Sequence, residues 1–252
     1  MTNPERIEAA RQTLLDSTAT IFDIELAPSN PRSFEDEFPN VSHAPRSSFS
    51  LAWLADVESV GPEEGRILAA VATSVGTDNG NREPDGCTIL ELGTSVGIGT
   101  CYLSSGAALG WRVVSVEAGT ERLHVARGVI AEAGCDGSIE LVHRTHDEFL
   151  RYDAVRLKRP IAMVFLDGDH RGAPTLAYVR SLLAGSALSP DGCVIVMDDI
   201  DWSPGMAECW RRVSEEAQTA GISVATVGRF GLLGTGLYGN GERWKSLLSL
   251  LQ

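Results

Sequence analysis

The stretch from Cys87 to Tyr102, CTILELGTSVGIGTCY, constrains the fold more than any other part of this chain. It opens with a short apolar run, carries one acid at Glu91, and passes through three glycines into a helical pattern. This order predicts a buried strand, a tight glycine turn and a helix. Such a turn lets the backbone approach a ligand, and a helix N-terminus favours negative charge. The alternative is an ordinary strand–turn–helix unit of an α/β protein.

The spacing of the glycines separates two classes of cofactor. A dinucleotide fingerprint has the pattern G-x-G-x-x-G, whereas this loop has E-x-G-x-x-x-G, starting at Glu91. The observed pattern resembles the cofactor loop of class I S-adenosylmethionine (SAM) methyltransferases. SAM carries an amino group and no phosphate, so an acid near the loop can favour that amino group. An NAD-dependent oxidoreductase is the least favoured alternative, because an obvious hydride-transfer site is also missing.

Short apolar runs alternate with helical patterns from residue 88 onward. Continuous apolar strands are typical of a parallel sheet that is buried on both faces. The sequence therefore predicts an α/β fold: a Rossmann-like, doubly wound, mostly parallel seven-stranded sheet with helices on both faces. Strands are predicted at 88–92, 112–117, 138–143, 161–167, 193–198 and 222–227, with a last, antiparallel edge strand within 230–238; helices are predicted at 98–109, 121–133, 146–157, 173–187 and 205–220.

The same sequence patterns predict a division of the chain into two parts. Residues 1–60 are predicted to be an N-terminal helical extension that includes a candidate substrate lid, and residues 61–252 a SAM-binding methyltransferase domain. Helical spacing covers 4–26, and two further helices are predicted at 51–60 and 62–75. Residues 28–48 are rich in Pro, Ser, Asn and acids. That segment is predicted to be either a surface loop or a lid over a substrate site.

Charge and cysteine content exclude several classes of function. The formal net charge of −13 argues against nucleic-acid phosphate as a main partner, since that would require a basic surface. Five scattered cysteines without a C-x-x-C pair predict reduced core thiols in a cytoplasmic protein. No apolar run reaches membrane-spanning length, and the charged N-terminus argues against a signal peptide. The expected partner is therefore a small molecule.

Polar residues at the carboxyl ends of the predicted strands are candidate site residues, because open α/β sheets bind ligands there. Glu117 ends the second strand, where an acid accepts hydrogen bonds from the ribose hydroxyls of NAD or SAM alike. The alternative for Glu117 is a surface acid that opens the next helix.

Paired carboxylates follow the fourth and fifth predicted strands, in FLDGDHR and VIVMDDIDW. We expect Asp167, Asp169, Asp198 and Asp199 to lie near one crevice. Because carboxylates repel one another, the sequence predicts a hard divalent cation bound through oxygen, with Mg²⁺ ahead of Mn²⁺. Alternatively, the second pair caps the loop and the next helix. His170 is a candidate base for a substrate hydroxyl, a ligand or a helix-start residue.

With these residues described, the chain resembles a metal-dependent class I O-methyltransferase. It is similar to the catechol and caffeoyl-CoA O-methyltransferases and, in the D-G-D-H run that starts at Asp167, to macrocin-type sugar O-methyltransferases. The resemblance covers about Val57 to Tyr238. It implies an enzyme that uses SAM to methylate a hydroxyl of a small-molecule acceptor, assisted by a divalent cation, with Mg²⁺ as the expected metal.

The resemblance also implies roles for individual residues. His170 stands where catechol-type enzymes carry a lysine and is implied to be the general base, with Asp167 as a second catalytic residue. Asp167, Asp198 and Asp199 are the implied metal ligands, and Asp199 stands where catechol-type enzymes carry asparagine. The implied cofactor-binding residues are Val60, Glu91, Gly93, Thr94, Ser95, Gly97, Thr100, Glu117 for the ribose, Ala118, and His146 for the adenine.

Two other functions stay open at this level. A cephalosporin-hydroxylase-like enzyme has a similar acidic strand end, and a non-catalytic SAM-binding protein would share the fold and the loop. Neither the acceptor nor the oligomeric state follows from the sequence. Dimers are common among the relatives, so the resemblance is compatible with a homodimer.

Overall fold

The structure is a computed structural model that describes residues 3–22, 48–79, 86–239 and 241–251. Its main sheet contains seven strands: β1 (Thr88–Leu92), β2 (Arg112–Glu117), β3 (Ile139–His143), β4 (Ile161–Leu166), β5 (Val194–Met197), β6 (Ser223–Val227) and β7 (Phe230–Gly234). Their order across the sheet is β3-β2-β1-β4-β5-β7-β6. The first five strands are parallel, and β7 is antiparallel to both β5 and β6. The predicted doubly wound, mostly parallel sheet is confirmed.

The strand order reverses between β1 and β4, which are neighbours in the sheet. The chain runs outward from β1 through β2 to β3, and then returns to build the other half from β4. In open α/β sheets, ligands bind in the crevice outside the carboxyl ends of the strands at such a switch point. The fold therefore places its candidate site between the turns that follow β1 and β4.

Side chains alternate between two hydrophobic layers, one on each face of the sheet. In β1, for example, Ile89 packs in the first layer and Leu90 in the second. Helices α5 (Gly172–Ala184) and α6 (Pro204–Thr219) contribute to the second layer and the other numbered helices to the first. The helices are α1 (Asn3–Leu15), α2 (Pro62–Asn79), α3 (Ile98–Gly106), α4 (Thr120–Ala133), α5 (Gly172–Ala184), α6 (Pro204–Thr219) and α7 (Glu242–Leu250).

The N-terminal helix is shorter than the helical spacing predicts. α1 ends at Leu15, and Thr20–Phe22 forms a short strand that pairs antiparallel with Ser48–Ser50. The prediction of one helix over 4–26 is therefore wrong beyond residue 15. Threonine, isoleucine and phenylalanine all favour extended backbone when a partner strand is available. The candidate lid at 28–48 lies outside the described residues, except for its last one.

The strand predicted within 230–238 is present as β7 and is antiparallel, but the prediction that it lies at an edge is wrong. β7 lies between β5 and β6, and all five of its residues are buried. Two of its glycines make room for aromatic rings. A Cβ on Gly231 would lie 2.6 Å from the ring of Trp210, and one on Gly234 would lie 2.7 Å from the ring of Trp244.

Three helical regions differ from their predictions. The single helix predicted at 146–157 consists of an α-helical turn, a π-helical segment and a 3₁₀ turn. The helix predicted at 51–60 likewise passes from Leu51–Trp53 into a π-helical segment, Leu54–Glu58. α7 was not predicted. Among the described residues, the helices are all too short or too polar to cross a membrane.

Candidate active site

Strained backbone marks the carboxyl ends of three strands. Ser95 after β1, Asp169 after β4 and Asp199 after β5 have φ values of 46°, 55° and 51°. Among the described residues, they are the non-glycine residues with positive φ. This conformation is costly for an L-residue and persists where the surroundings impose it, which is common in active sites. The strain therefore lies at the three strand ends that the sequence singles out.

The turns after β1 and β4 touch each other through Gly93. This glycine has φ 111°, and a Cβ on it would overlap the carbonyl group of Asp167. The backbone N–H of Asp167 donates to the carbonyl oxygen of Leu92 at 2.9 Å, which continues the strand pairing up to the turn. Four residues on, Gly97 has φ 86° and caps the N-terminus of α3. The glycine loop thus lies against the first acidic turn.

Glu91 is buried in β1 beneath the glycine loop, with 1% of its surface exposed. Its Oε2 accepts hydrogen bonds from the hydroxyls of Thr100 and Ser115, both at 2.5 Å. Since Ser115 donates to Glu91, the hydroxyl of Thr94 donates to Ser115, also at 2.5 Å. Burial raises the pKa of Glu91 to about 7, despite these donors. A ligand cation near this carboxyl would favour its ionised form.

Gly99 and Val60 lie on the other side of the Glu91 carboxyl. A Cβ on Gly99 would lie 2.9 Å from Oε1 of Glu91 and 3.8 Å from a methyl group of Val60. Val60 is buried and precedes α2. The structure therefore brings five of the predicted cofactor residues together here: Val60, Glu91, Gly93, Thr94 and Thr100.

Glu117 ends β2 and holds the glycine loop from the other side. Its Oε2 accepts from the backbone N–H of Ser95 and its Oε1 from that of Gly119, both at 2.9 Å. Each carboxylate oxygen can accept a further hydrogen bond, so Glu117 can also receive ribose hydroxyls. The carbonyl oxygen of Ala118 accepts from Nε2 of His143 at 2.8 Å. Glu117 therefore fixes the geometry of the glycine loop.

Arg122, which sequence reasoning missed, also supports the loop. It forms a bidentate ion pair with Glu58, in which Nη2 lies 3.1 Å from Oε1. Its Nη1 donates to Oγ of Ser95 at 3.2 Å. The guanidinium thereby ties the segment before α2 to the strained residue of the glycine loop.

The two acidic turns converge on a cluster formed by Asp167, Asp198, Asp199 and His170. Nε2 of His170 lies 3.5 Å from Oδ1 of Asp167, and its Nδ1 lies 3.8 Å from Oδ2 of Asp199. Burial, and then the negative charge of Asp198, raise the pKa of Asp167 well above its usual range. These four predicted residues therefore lie together.

Asp169 is engaged outside this cluster. Its Oδ2 accepts from Nη2 of Arg171 at 2.8 Å and from the hydroxyl of Tyr178 at 3.0 Å. His146 packs edge-on to the Tyr178 ring, with ring centres 5.7 Å apart, and faces Gly168. Burial lowers the pKa of His146, which favours the neutral imidazole. His146 thus lies beside the β4 turn, on the cluster's outer side.

Arg229 lies in the β6–β7 hairpin, and its side chain reaches into the cluster. Nothing in the local sequence indicates this contact. Nε of Arg229 donates to Oδ1 of Asp198 at 2.6 Å and its Nη2 to Oδ2 at 2.7 Å. Nη2 also lies 2.8 Å from Oδ1 of Asp199. Within the described ranges, no group of three or more His, Cys, Asp or Glu residues has positions that could hold a metal ion. The donor set as folded therefore does not fit the divalent cation that the sequence predicts.

The residues that sequence reasoning missed differ in the strength of their sequence signal. Ser115 is a polar residue inside an apolar strand and pairs in register with Glu91, so a buried hydroxyl beside a buried acid was a usable signal. Arg122 opens α4 near the predicted ribose acid, but its partner Glu58 is far away in sequence. Arg229 has no local sequence signal, because it reaches the cluster only through the packing of its hairpin against β5.

The fold and the site define a class. A Rossmann-like sheet with one antiparallel strand inserted at its far side, a glycine loop over a buried acid, and an acid ending β2 are typical of class I methyltransferases. The match of the domain family described as "Methyltransferase domain" to residues 90–200 agrees with this class.

Comparisons with known proteins agree with this class. Catechol O-methyltransferase B of Danio rerio is 28% identical over 149 residues, which cover 56% of this chain and 50% of that protein. The chain thus spans about half the length of this curated relative. The chain thus contains a segment that matches a methyltransferase domain, and it is similar to a catechol O-methyltransferase.

Two solved structures show the same fold. An O-methyltransferase from Bacillus cereus in complex with S-adenosylhomocysteine (SAH) is 23% identical, with a TM-score of 0.59 over 90% of this chain and 98% of that one. The O-methyltransferase TomG from Streptomyces achromogenes, involved in tomaymycin synthesis and in complex with SAM, is 22% identical. Its TM-score is 0.56 over 71% of this chain and 82% of that one.

Proposed function

We propose that this chain transfers the methyl group of SAM to a hydroxyl oxygen of a small-molecule acceptor. The observation that carries this proposal is the position of His170, between Asp167 and Asp199 at the carboxyl ends of β4 and β5. The backbone of Asp167 touches the glycine loop at Gly93, so the histidine lies beside the loop that would hold the cofactor. A base and a cofactor loop therefore share one crevice.

The described residues fit SAM as the ligand. Glu117 ends β2, where an acid can bind ribose hydroxyls, and Glu91 offers a buried carboxyl to the amino group. Gly93 and Gly97 let the backbone between them adopt the tight turn that a closely bound ligand needs. When bound, SAM supplies an electrophilic methyl group. The chain itself binds and orients the two reactants, and proximity and orientation can supply much of a rate enhancement.

His170 is the proposed general base. It takes the proton of the acceptor hydroxyl on one imidazole nitrogen, and the positive charge that then forms lies beside Asp167 or Asp199. Asp167 would act by holding the ring in place through Nε2. No step in this mechanism uses a divalent cation, whose participation stays a prediction from the sequence.

A neutral or cationic small molecule with a hydroxyl is the proposed acceptor class. Trp202 is 57% exposed and lies just after the second acidic turn, where its backbone N–H donates to the carbonyl oxygen of Asp199 at 3.0 Å. Its ring offers an aromatic surface for a planar acceptor. Catechol is a suitable first probe because a relative of this chain is a catechol O-methyltransferase.

Calorimetric titration with SAH, followed by turnover with SAM and catechol, tests the proposal. Glu117→Ala should weaken SAH binding by about tenfold or more, while Glu121→Ala, an exposed acid four residues on, should not. His170→Ala should lower the turnover rate by about a hundredfold or more with SAH affinity retained, while the exposed His124→Ala retains the wild-type rate.

The outcomes separate the competing functions. A flat titration of the wild-type protein would contradict the SAM-dependent proposal. SAH binding without turnover over a broad panel of hydroxyl acceptors would favour a non-catalytic SAM-binding protein. Turnover that needs iron and oxygen without methyl transfer would favour the hydroxylase-like alternative.

A further inference from the structure

We propose that Arg229 is the resident cation of the acidic cluster and takes the place that the sequence assigns to a divalent metal. Under the proposed function, methyl transfer would then proceed without Mg²⁺. The claim about which cation neutralises the cluster is separate from the claim about SAM, and each can fail without the other.

The sheet topology places Arg229 beside the cluster. β7 runs antiparallel to β5, with Met197 opposite Gly231, so the start of β7 lies beside the end of β5. Val227 pairs with Phe230, which leaves a two-residue hairpin turn of Gly228 and Arg229. Gly228 has φ 56°, and positive φ at the first central residue is what tight hairpin turns require. The turn therefore projects at the carboxyl end of β5.

The backbone fixes this turn against the second acidic turn as well. The N–H of Ile200 donates to the carbonyl oxygen of Arg229 at 3.3 Å, and the N–H of Asp199 donates to Oδ1 of Asp198 at 2.8 Å. Arg229 and its carboxylate acceptors are therefore both held in place, because they lie on segments that are hydrogen-bonded to each other. The side chain of Arg229 is 32% exposed, whereas that of Asp198 is 1% exposed.

The geometry leaves Asp198 poorly suited to a metal. Oδ1 of Asp198 receives both Nε of Arg229 and the N–H of Asp199, and Oδ2 receives Nη2 of Arg229. Asp198 is 1% exposed, so it cannot turn outward without breaking a buried, charge-assisted pair. Mg²⁺ demands near-octahedral oxygen ligands at about 2.0–2.1 Å. The planar fork of the guanidinium already satisfies the oxygens that such an ion would need.

Uptake of Mn²⁺ by the purified protein, followed through the electron paramagnetic resonance signal of the free ion, tests this inference. Wild type should take up no stoichiometric Mn²⁺. Arg229→Met should bind one Mn²⁺ at least about tenfold more tightly than wild type, because it frees Asp198 and Asp199. Adding Asp198→Asn to that variant should abolish the gain.

Arg180→Met is the matched control, since Arg180 forms a bidentate pair with Glu216 on the exposed side of α5 and α6. It should leave Mn²⁺ uptake at the wild-type level. One Mn²⁺ bound by wild type and lost in Asp198→Asn would overturn the inference, as would a folded Arg229→Met protein without any gain. If Arg229→Met does not fold, the wild-type titration still decides, because binding at Asp198 contradicts the proposal and its absence supports it.

The catalytic consequence has its own readout. With SAM and catechol, wild-type turnover should be unchanged by EDTA, and Arg229→Met turnover should fall and become dependent on added Mn²⁺. SAH affinity measured on the same samples keeps the two proposals apart. A wild-type protein that does not bind SAH would contradict the proposed function alone. Inhibition of wild-type turnover by EDTA, with SAH binding intact, would contradict Arg229 as the resident cation.

Discussion

Glu91 and Glu117 lie on the neighbouring strands β1 and β2, yet their surroundings give the two acids different properties. Glu91 is buried among hydroxyl donors, and its pKa rises to about 7 because burial outweighs those hydrogen bonds. Glu117 instead accepts hydrogen bonds from two backbone N–H groups. A residue type alone therefore does not define its role, since the burial and donors that decide it come from other segments.

At this scale we expect a pH-dependent stability that disappears in Glu91→Gln. The pKa of Glu91 is raised from 4.5 to about 7, so the folded protein holds a proton that the unfolded chain releases over that interval. The free energy of unfolding should therefore fall as pH rises from 4.5 to 7, by about 3 kcal/mol from this residue. Urea unfolding of both proteins at several pH values measures the difference.

The Gln variant accepts the same hydroxyl donors but does not titrate, so the other ionisable groups cancel in the comparison. Parallel curves for the two proteins between pH 4.5 and 7 would show that Glu91 does not carry this effect.

At the scale of secondary-structure elements, the candidate site is built from turns. A glycine allows two of these turns to come into close contact. The loop after β1 and the turn after β4 approach closely at Gly93, where a side chain would overlap the backbone of Asp167. The hairpin between β6 and β7 meets the turn after β5 through Arg229, whose carbonyl oxygen accepts from the N–H of Ile200 at 3.3 Å. Each contact joins segments that are distant in sequence, so the crevice depends on backbone shape as much as on its charged residues.

Gly93→Ala tests this dependence. The substitution should lower the free energy of unfolding by about 2–4 kcal/mol and weaken SAH binding, because it adds both strain at φ 111° and overlap with the β4 turn. Gly110→Ala is the control, since Gly110 has φ 85° but nothing within 4 Å of the added Cβ. It should cost about 1 kcal/mol and retain SAH affinity.

Denaturant unfolding and calorimetry on both variants measure these effects. Equal losses in the two variants would mean that the positive φ, and not the contact between the turns, sets the cost.

At the scale of the whole molecule, one hydrophobic layer joins the N-terminal helix to the sheet. Ile7 and Leu14 of α1 are buried in the same layer as Ile89 of β1 and Phe165 of β4. Tyr102 of α3 adds a hydrogen bond from its hydroxyl to Glu8, at 2.5 Å. The first helix is thus packed as part of the domain, which predicts that it unfolds together with the sheet.

Ile7→Ala should therefore destabilise the entire chain by about 2–5 kcal/mol in a single transition, because Ile7 is fully buried. Circular dichroism and tryptophan fluorescence should report the same midpoint. Leu109→Ala is the control, since Leu109 is fully exposed, and it should change stability by less than about 0.5 kcal/mol. A separate early transition in Ile7→Ala that leaves the main midpoint unchanged would show that α1 docks independently.

Patterns within single segments determined most of the fold. β1 and β2 have the predicted bounds, and β3, β4, β5 and β6 differ from theirs by one or two residues, because continuous apolar runs and glycine turns are local signals. The same patterns indicated Glu91, Glu117 and the acids after β4 and β5, since parallel strands bring their carboxyl ends to one edge. Where extended segments depend on a distant partner, as in the Thr20–Phe22 strand, helical spacing was misleading.

Only the tertiary structure decided how the acids are neutralised. Apolar content predicted β7, but its place inside the sheet depends on pairing with β5, which is a non-local contact. That pairing carries Arg229 to Asp198, whereas Asp169 turns to Arg171 and Tyr178. The sequence by itself determined which residues end the strands. Their charges, partners and ligands follow from distances between segments, and these exist only once the chain has folded.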